Sequence, residues 1–188
     1  MSADRRRRNR VLLVGTFLFF FLPIVGAWLL NVFAPDWRPF GTTNYGTLVQ
    51  PVRPITAAGL RKADGAALDA GYLRGRWTLV HIQQGACGKI CLDALARLRR
   101  VQQALGDDMH RVQLLVVGAG AGNGPDGATA VVAAAGWLAA FSFADAPPGP
   151  GIYLVDPQGY LMMRYPRDAE QRGVLTDLER LLKISKIG

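Results

Sequence analysis

Hydrophobic positions fall into two regimes along this chain. From Val11 to Phe33 they run on without a charge, VLLVGTFLFFFLPIVGAWLLNVF, and about 20 apolar residues suffice to cross a hydrocarbon core as a helix. Pro23 sits mid-span, where transmembrane helices tolerate it. Trp28 and Trp37 fall at or past the far end, where amphipathic rings favour the interface. The run is too long for the apolar region of a cleaved signal peptide, about 7 to 15 residues. Ala34 is also followed by Pro35, which closes the run without a clean cleavage site. The segment is therefore read as an uncleaved anchor.

Beyond it the pattern shortens. Pro35, Pro39, Pro51 and Pro54 with Gly41 and Gly46 mark residues 34–57 as an extended tether with one short strand at Leu48–Val52. Asp64-Gly65 between short segments predicts a hairpin over Gly59–Leu68. The bulky, β-branched run Trp77–Ile82, bounded by Gly75 and Gly85, predicts a central strand. Leu92, Leu95, Leu98, Val101 and Leu105, with Arg97, Arg99, Arg100, Gln102 and Gln103 between them, predict an amphipathic helix that Gly106 ends. Val112–Val117 then reads as a buried parallel strand reached by that helix as a right-handed crossover.

Gly118–Gly127 reads as a flexible loop and the Ala-rich stretch Ala128–Phe141 as a core helix. Ile152–Val155 and Tyr160–Arg164 flank Asp156-Pro157-Gln158-Gly159, which has Pro and Gly where a tight turn wants them. Leu175, Leu178, Leu181 and Leu182 close the chain at helical spacing. Strands alternating with helices and ending in an antiparallel pair predict an α/β sandwich with a mixed sheet. The expected organisation is a basic tail at 1–10, a transmembrane helix at 11–33, the tether at 34–57 and one folded domain at 58–188.

Charge changes less than it promises. The chain of 188 residues carries a formal +8, but Arg5, Arg6, Arg7, Arg8 and Arg10 against Asp4 place half of that in the first ten residues. What remains is spread through amphipathic segments without an aromatic-studded basic patch, so nucleic acid is not an expected partner. The arginine cluster is expected to stay cytoplasmic, which puts the domain on the periplasmic side of a bacterial inner membrane. Disulfides persist there.

Only two cysteines are present, and their position is informative. Cys87 and Cys91 stand in Gly85-Ala86-Cys87-Gly88-Lys89-Ile90-Cys91, between the end of a predicted strand and the start of a predicted helix. A helix N-terminus stabilises a thiolate through its unpaired amides and dipole, and Lys89 adds a cation. Four-residue spacing puts both sulfurs on one face of a turn with Cα atoms about 6 Å apart, within disulfide range. The pair suits thiol redox chemistry, with Cys87, nearer the loop, as the attacking thiolate and Cys91 as the resolving thiol. Soft thiolates also select Cu(I), with Cys87 and Cys91 as its ligands beside a third supplied from elsewhere, such as His81 or a methionine. A static bridge that only steadies the loop is the third reading.

In this order, behind a single anchor, the C-x-x-x-C loop and the late hairpin Ile152-Tyr153-Leu154-Val155-Asp156-Pro157-Gln158-Gly159 make the chain similar to the Sco/SenC family. The resemblance runs from about Ala58 to Lys186. It implies a membrane-anchored, thioredoxin-like domain that assists cytochrome c oxidase assembly, by delivering copper or by reducing cysteines at the dinuclear copper centre. Its implied partner is an oxidase subunit or another assembly factor. The family usually has Pro after the second cysteine, where Leu92 stands here, and a histidine as third copper ligand, where Pro148 falls here. Dithiol chemistry needs only the cysteines.

The remaining candidates read as structural. His81, six residues before Cys87, would approach a metal only if the strand end faces the loop, and is expected to be a half-buried strand residue. His110 is expected at the surface, and neither histidine makes a Cys-His couple for hydrolysis. Of Met162 and Met163, adjacent on a strand, at most one faces any given site, and both serve as core filler. Read from Gly118 or Gly120, the glycines after Val117 miss G-x-G-x-x-G, since Asn123 or Pro125 falls on the last position, and the loop is expected to be a flexible connector.

Overall fold

The uncharged N-terminal run is helical in the computed structural model, which describes residues 2–34, 43–83, 85, 87–118, 127–134, 136–143 and 149–185. Helix α1, Ser2–Phe33, contains Pro23 and exposes its large apolar side chains throughout. Within it Arg5–Phe33 is long and apolar enough to cross a membrane. Trp37 lies outside the described residues, as do residues 119–126 of the glycine-rich loop.

A second unit spans Asn44–Gly188. Its described residues form strands β1 (Thr47–Pro54), β2 (Leu60–Lys62), β3 (Trp77–Ile82), β4 (Val112–Val117), β5 (Ala128–Ala133), β6 (Gly151–Val155) and β7 (Tyr160–Tyr165). Helix α2 covers Lys89–Ala104 and helix α3 covers Gln171–Ile184, with short 3-10 turns at Gly106–Arg111 and Trp137–Phe141. The sheet order is β1-β7-β6-β3-β4-β5-β2. β3 and β4 pair in parallel, as do β4 and β5, whereas β6, β7, β1 and β2 pair antiparallel with their neighbours. The expected mixed α/β sandwich is thus present.

Position in the sheet explains the composition of each strand. Every residue of β3 and of β4 is buried, as continuous apolar runs covered on both faces should be. One face presents Val80, Ile82, Leu115, Val117, Val131 and Val155 to a core with Leu60, Leu73 and Phe141. The other presents Trp77, Leu79, Leu114, Ile152 and Leu154 to Leu98 and Val101 of α2 and to Val174, Leu178 and Leu182 of α3. In the β6–β7 turn Gly159 takes φ +91°, and the Asp156 carboxylate accepts from the amides of Gln158 and Tyr160.

Strand β1 occupies residues whose proline content reads as tether, and it pairs with β7. Just before it, the Asp177 carboxylate of α3 accepts the amides of Tyr45 (3.0 Å) and Gly46 (2.9 Å) and the Tyr165 hydroxyl (3.1 Å). Gly46 is required there, because a Cβ would lie 2.5 Å from the Tyr165 ring.

One expectation is corrected. Ala128–Phe141 is not a core helix but β5 followed by a 3-10 turn. Alanine favours helix, yet Thr129, Val131 and Val132 are β-branched, and β4 offers a free row of backbone groups beside them. Pairing and the burial of Val131 override intrinsic propensity.

Candidate functional site

The two cysteines sit where β3 hands over to α2. Gly88 is the N-cap of α2 in extended conformation and gives no side-chain cap, so no side chain competes for the first-turn amides. Cys87 and Cys91 are joined as a disulfide with Cα atoms 5.2 Å apart. Their environments differ. Cys91 is fully buried and packs with Leu95 and Val116, whereas Cys87 is half-buried at the edge of that cluster. Around them Gly85, Gly88, Lys89, Ile90 and Leu92 are exposed. A closed pair with one reachable and one enclosed sulfur can be opened at Cys87 by an external thiolate and closed again from Cys91.

His81 lies beneath this pair in the sheet. Its register partner Val116 packs against Cys91, and residues directly opposite in register share a face, so His81 belongs to the layer under α2. Contrary to the half-buried expectation it is completely buried, and neither ring nitrogen has a hydrogen-bond partner. Desolvation, with the nearby charges of Arg167 and Arg97, lowers its pKa to about 4. The imidazole is therefore neutral at physiological pH.

This has a measurable cost in acid. The folded pKa lies below the unfolded value of 6.5, so protons bind the unfolded chain more tightly. The protonation cost is absent above pH 6.5, and stability declines as pH falls from 6.5 toward 4, by about 3 kcal/mol in all. Urea unfolding across that range is expected to show a slope that His81→Leu removes. Equal slopes for the two proteins would disprove it.

Sequence spacing gave no sign of Arg167. It stands between β7 and α3, half-buried, and its Nη2 donates to the Gln83 side chain at 3.4 Å, at the end of β3 that leads to the cysteines. Its Nε is buried without a partner. Chain order separates Arg167 from Cys87 by four strands, and only the strand order of the sheet brings their ends together.

The other candidates separate from the pair. His110 is exposed, with Nδ1 2.7 Å from the Asp107 carbonyl oxygen. Met163 is core, 2% exposed, with its sulfur 3.6 Å from the Tyr165 hydroxyl oxygen. Pro148, expected about where the resemblance would put a copper-ligand histidine, lies outside the described residues. Among the described residues no three His, Cys, Asp or Glu side chains are assembled to hold a metal. Once the disulfide opens, the two sulfurs are the soft donors that the described residues bring together here.

Residues 77–185 match the family model described as the transmembrane-like, thioredoxin-like C-terminal domain. No curated protein matches the chain. Apo Sco1 of Thermus thermophilus is similar with a TM-score of 0.56 at 18% identity, over 77% of this chain and 99% of its own. Yeast Sco1 with copper bound gives 0.52 at 14% identity, over 71% of this chain and 89% of its own. BsSco, in which a disulfide switch is identified and which belongs to the Sco family of cytochrome c oxidase assembly proteins, gives 0.50 at 16% identity, over 77% and 98%. At such identities the likeness is one of fold.

Proposed function

The chain belongs to the transmembrane-like, thioredoxin-like C-terminal domain family, and from that premise we propose that it is a membrane-anchored thiol-disulfide protein that assists cytochrome c oxidase assembly through Cys87 and Cys91. The observation that carries this reading is the asymmetric pair itself, one sulfur half-buried and one enclosed at the start of α2. The likeness in fold to the Sco proteins supports the physiological setting.

In the reduced protein the Cys87 thiolate, stabilised by the first amides of α2 and by Lys89, attacks one sulfur of a client disulfide. The client's other sulfur leaves as a thiolate and takes up a proton. Cys91 then loses its proton and attacks Cys87, releasing the client as a dithiol and closing the Cys87–Cys91 bridge. Two electrons pass to the client, and an external dithiol must return them. The same bonds exchanged in reverse oxidise a client dithiol.

Helix α1 is the anchor, with the arginine tail cytoplasmic and the domain periplasmic. After mild reduction, a membrane-impermeant maleimide is expected to label Cys87 in cells whose outer membrane alone is opened. Labelling only after inner-membrane lysis would place the domain on the other side.

Cu(I) is the second reading, as cargo. It is favoured by the two soft sulfurs that reduction creates side by side. Anaerobic titration against a competing chelator decides it. A one-to-one complex formed by the reduced chain, and lost in the double Cys→Ser variant, would make metal transfer the function. No complex would leave thiol exchange or a non-catalytic assembly scaffold.

A further inference from the structure

Three cations stand on the segments that carry or border the dithiol, and none has a carboxylate partner among the described residues. Lys89 is exposed between the two cysteines, Arg97 is half-buried on α2 six residues after Cys91, and Arg167 is half-buried at the end of β3. Among the described residues none of the three forms an ion pair. The carboxylates nearest in sequence, Asp93, Asp168 and Glu170, are all exposed.

Arg97 and Arg167 come from separate elements, yet both act on His81, so their charges converge on the layer beneath Cys91. Three polar atoms in that layer are buried without partners, namely Nδ1 and Nε2 of His81 and Nε of Arg167. Of these, Nε of Arg167 is a charged donor on a half-buried side chain, which an incoming acceptor can satisfy. Beside the pair, Ile90 and Leu92 expose 62% and 50% of their surface, enough to hold an apolar side chain of a bound segment.

We propose that the mouth of the dithiol receives an acidic client segment, one with a carboxylate beside its own cysteine, and that Arg97, Arg167 and Lys89 select it. The inference rests on the thiol-exchange reading. A carboxylate matches a guanidinium edge in shape as well as charge, and in this partly desolvated setting the attraction is screened less than at an open surface. A basic segment would meet three like charges with no counter-ion in place.

The test uses the reduced full-length chain in phosphatidylcholine nanodiscs and three peptides with one internal disulfide, flanked by Glu, Gln or Lys. Each exchange rate is normalised to that peptide's rate with dithiothreitol. At low salt the Glu peptide is expected to react about 10-fold faster than the Gln peptide, with the ratio shrinking toward unity at high salt. Arg97→Glu/Arg167→Glu is expected to put the Lys peptide ahead of the Glu peptide. Lys89→Glu, at an exposed position, is expected to narrow the ratio without risk to the fold.

Equal rates for the three peptides with the wild-type chain would overturn this inference alone. No exchange of any peptide would overturn the exchange reading and this inference with it. Inorganic phosphate at constant ionic strength that slows all three peptides equally would mark a free-anion site, and would also overturn client selection.

Discussion

Replacing Cys87 with serine is expected to lower disulfide exchange by about 100-fold or more while the domain stays folded, because a hydroxyl is neither ionised nor soft enough to attack sulfur. Cys91→Ser should behave differently. Its attack proceeds, but the mixed disulfide with the client has no resolving thiol and accumulates, so the covalent adduct can be isolated on a non-reducing gel. Neither change should unfold the domain. The bridge closes only a five-residue loop, and by chain entropy its loss costs about 2 kcal/mol. Cys91 is moreover seated by Leu95 and Val116 whether or not it is bonded. A Cys87→Ser domain that unfolds, or that exchanges at the wild-type rate, would sink the assignment.

The largest loss of stability is expected at Asp177. This carboxylate is 2% exposed and is the shared acceptor for two backbone amides and one phenol. Asp177→Ala leaves all three donors without their partner inside the domain, and the loss is expected to be about 3–5 kcal/mol. Chemical denaturation gives the value, and amide exchange at Tyr45 and Gly46 shows where the damage begins. Burial raises the Tyr165 hydroxyl far above its ordinary pKa, and the Asp177 charge beside it pushes the same way, so the phenol remains a donor at any working pH. Tyr165→Phe therefore isolates one of the three bonds and should cost much less than Asp177→Ala. Similar losses in the two variants would show that the backbone amides contribute nothing.

The sequence made the middle of the fold legible and its periphery less so. β3 and β4 begin and end where their apolar runs do, since a strand buried on both faces needs an unbroken row of such residues. α2 was visible because its stripe of Leu95, Leu98 and Val101 has one period and one direction. Ala128–Ala133 was misread because alanine satisfies either period, and only the neighbouring strand decides between them. The cysteine pair is legible from its spacing together with its place between a strand and a helix. The local pattern leaves His81 half in solvent, because it does not reveal that helices cover one face of the sheet and strand connections the other. Arg167 had no local signal. Its nearness to the cysteine loop arises from β7 returning beside β6 and β6 beside β3, a property of strand order that no single segment contains.

That strand order also decides what the sheet shows its neighbours. Its two margins are β1 and β2. β1 carries Pro51 and Pro54, which have no amide hydrogen to donate, and β2 is three residues long with exposed Arg61 and Lys62. Short, charged or proline-bearing margins deprive another chain of the ladder it would need for sheet-to-sheet growth. Proteins confined to a surface collide with their own copies far more often than proteins free in solution. Here such encounters meet blunt margins, so crowding in two dimensions need not end in aggregation.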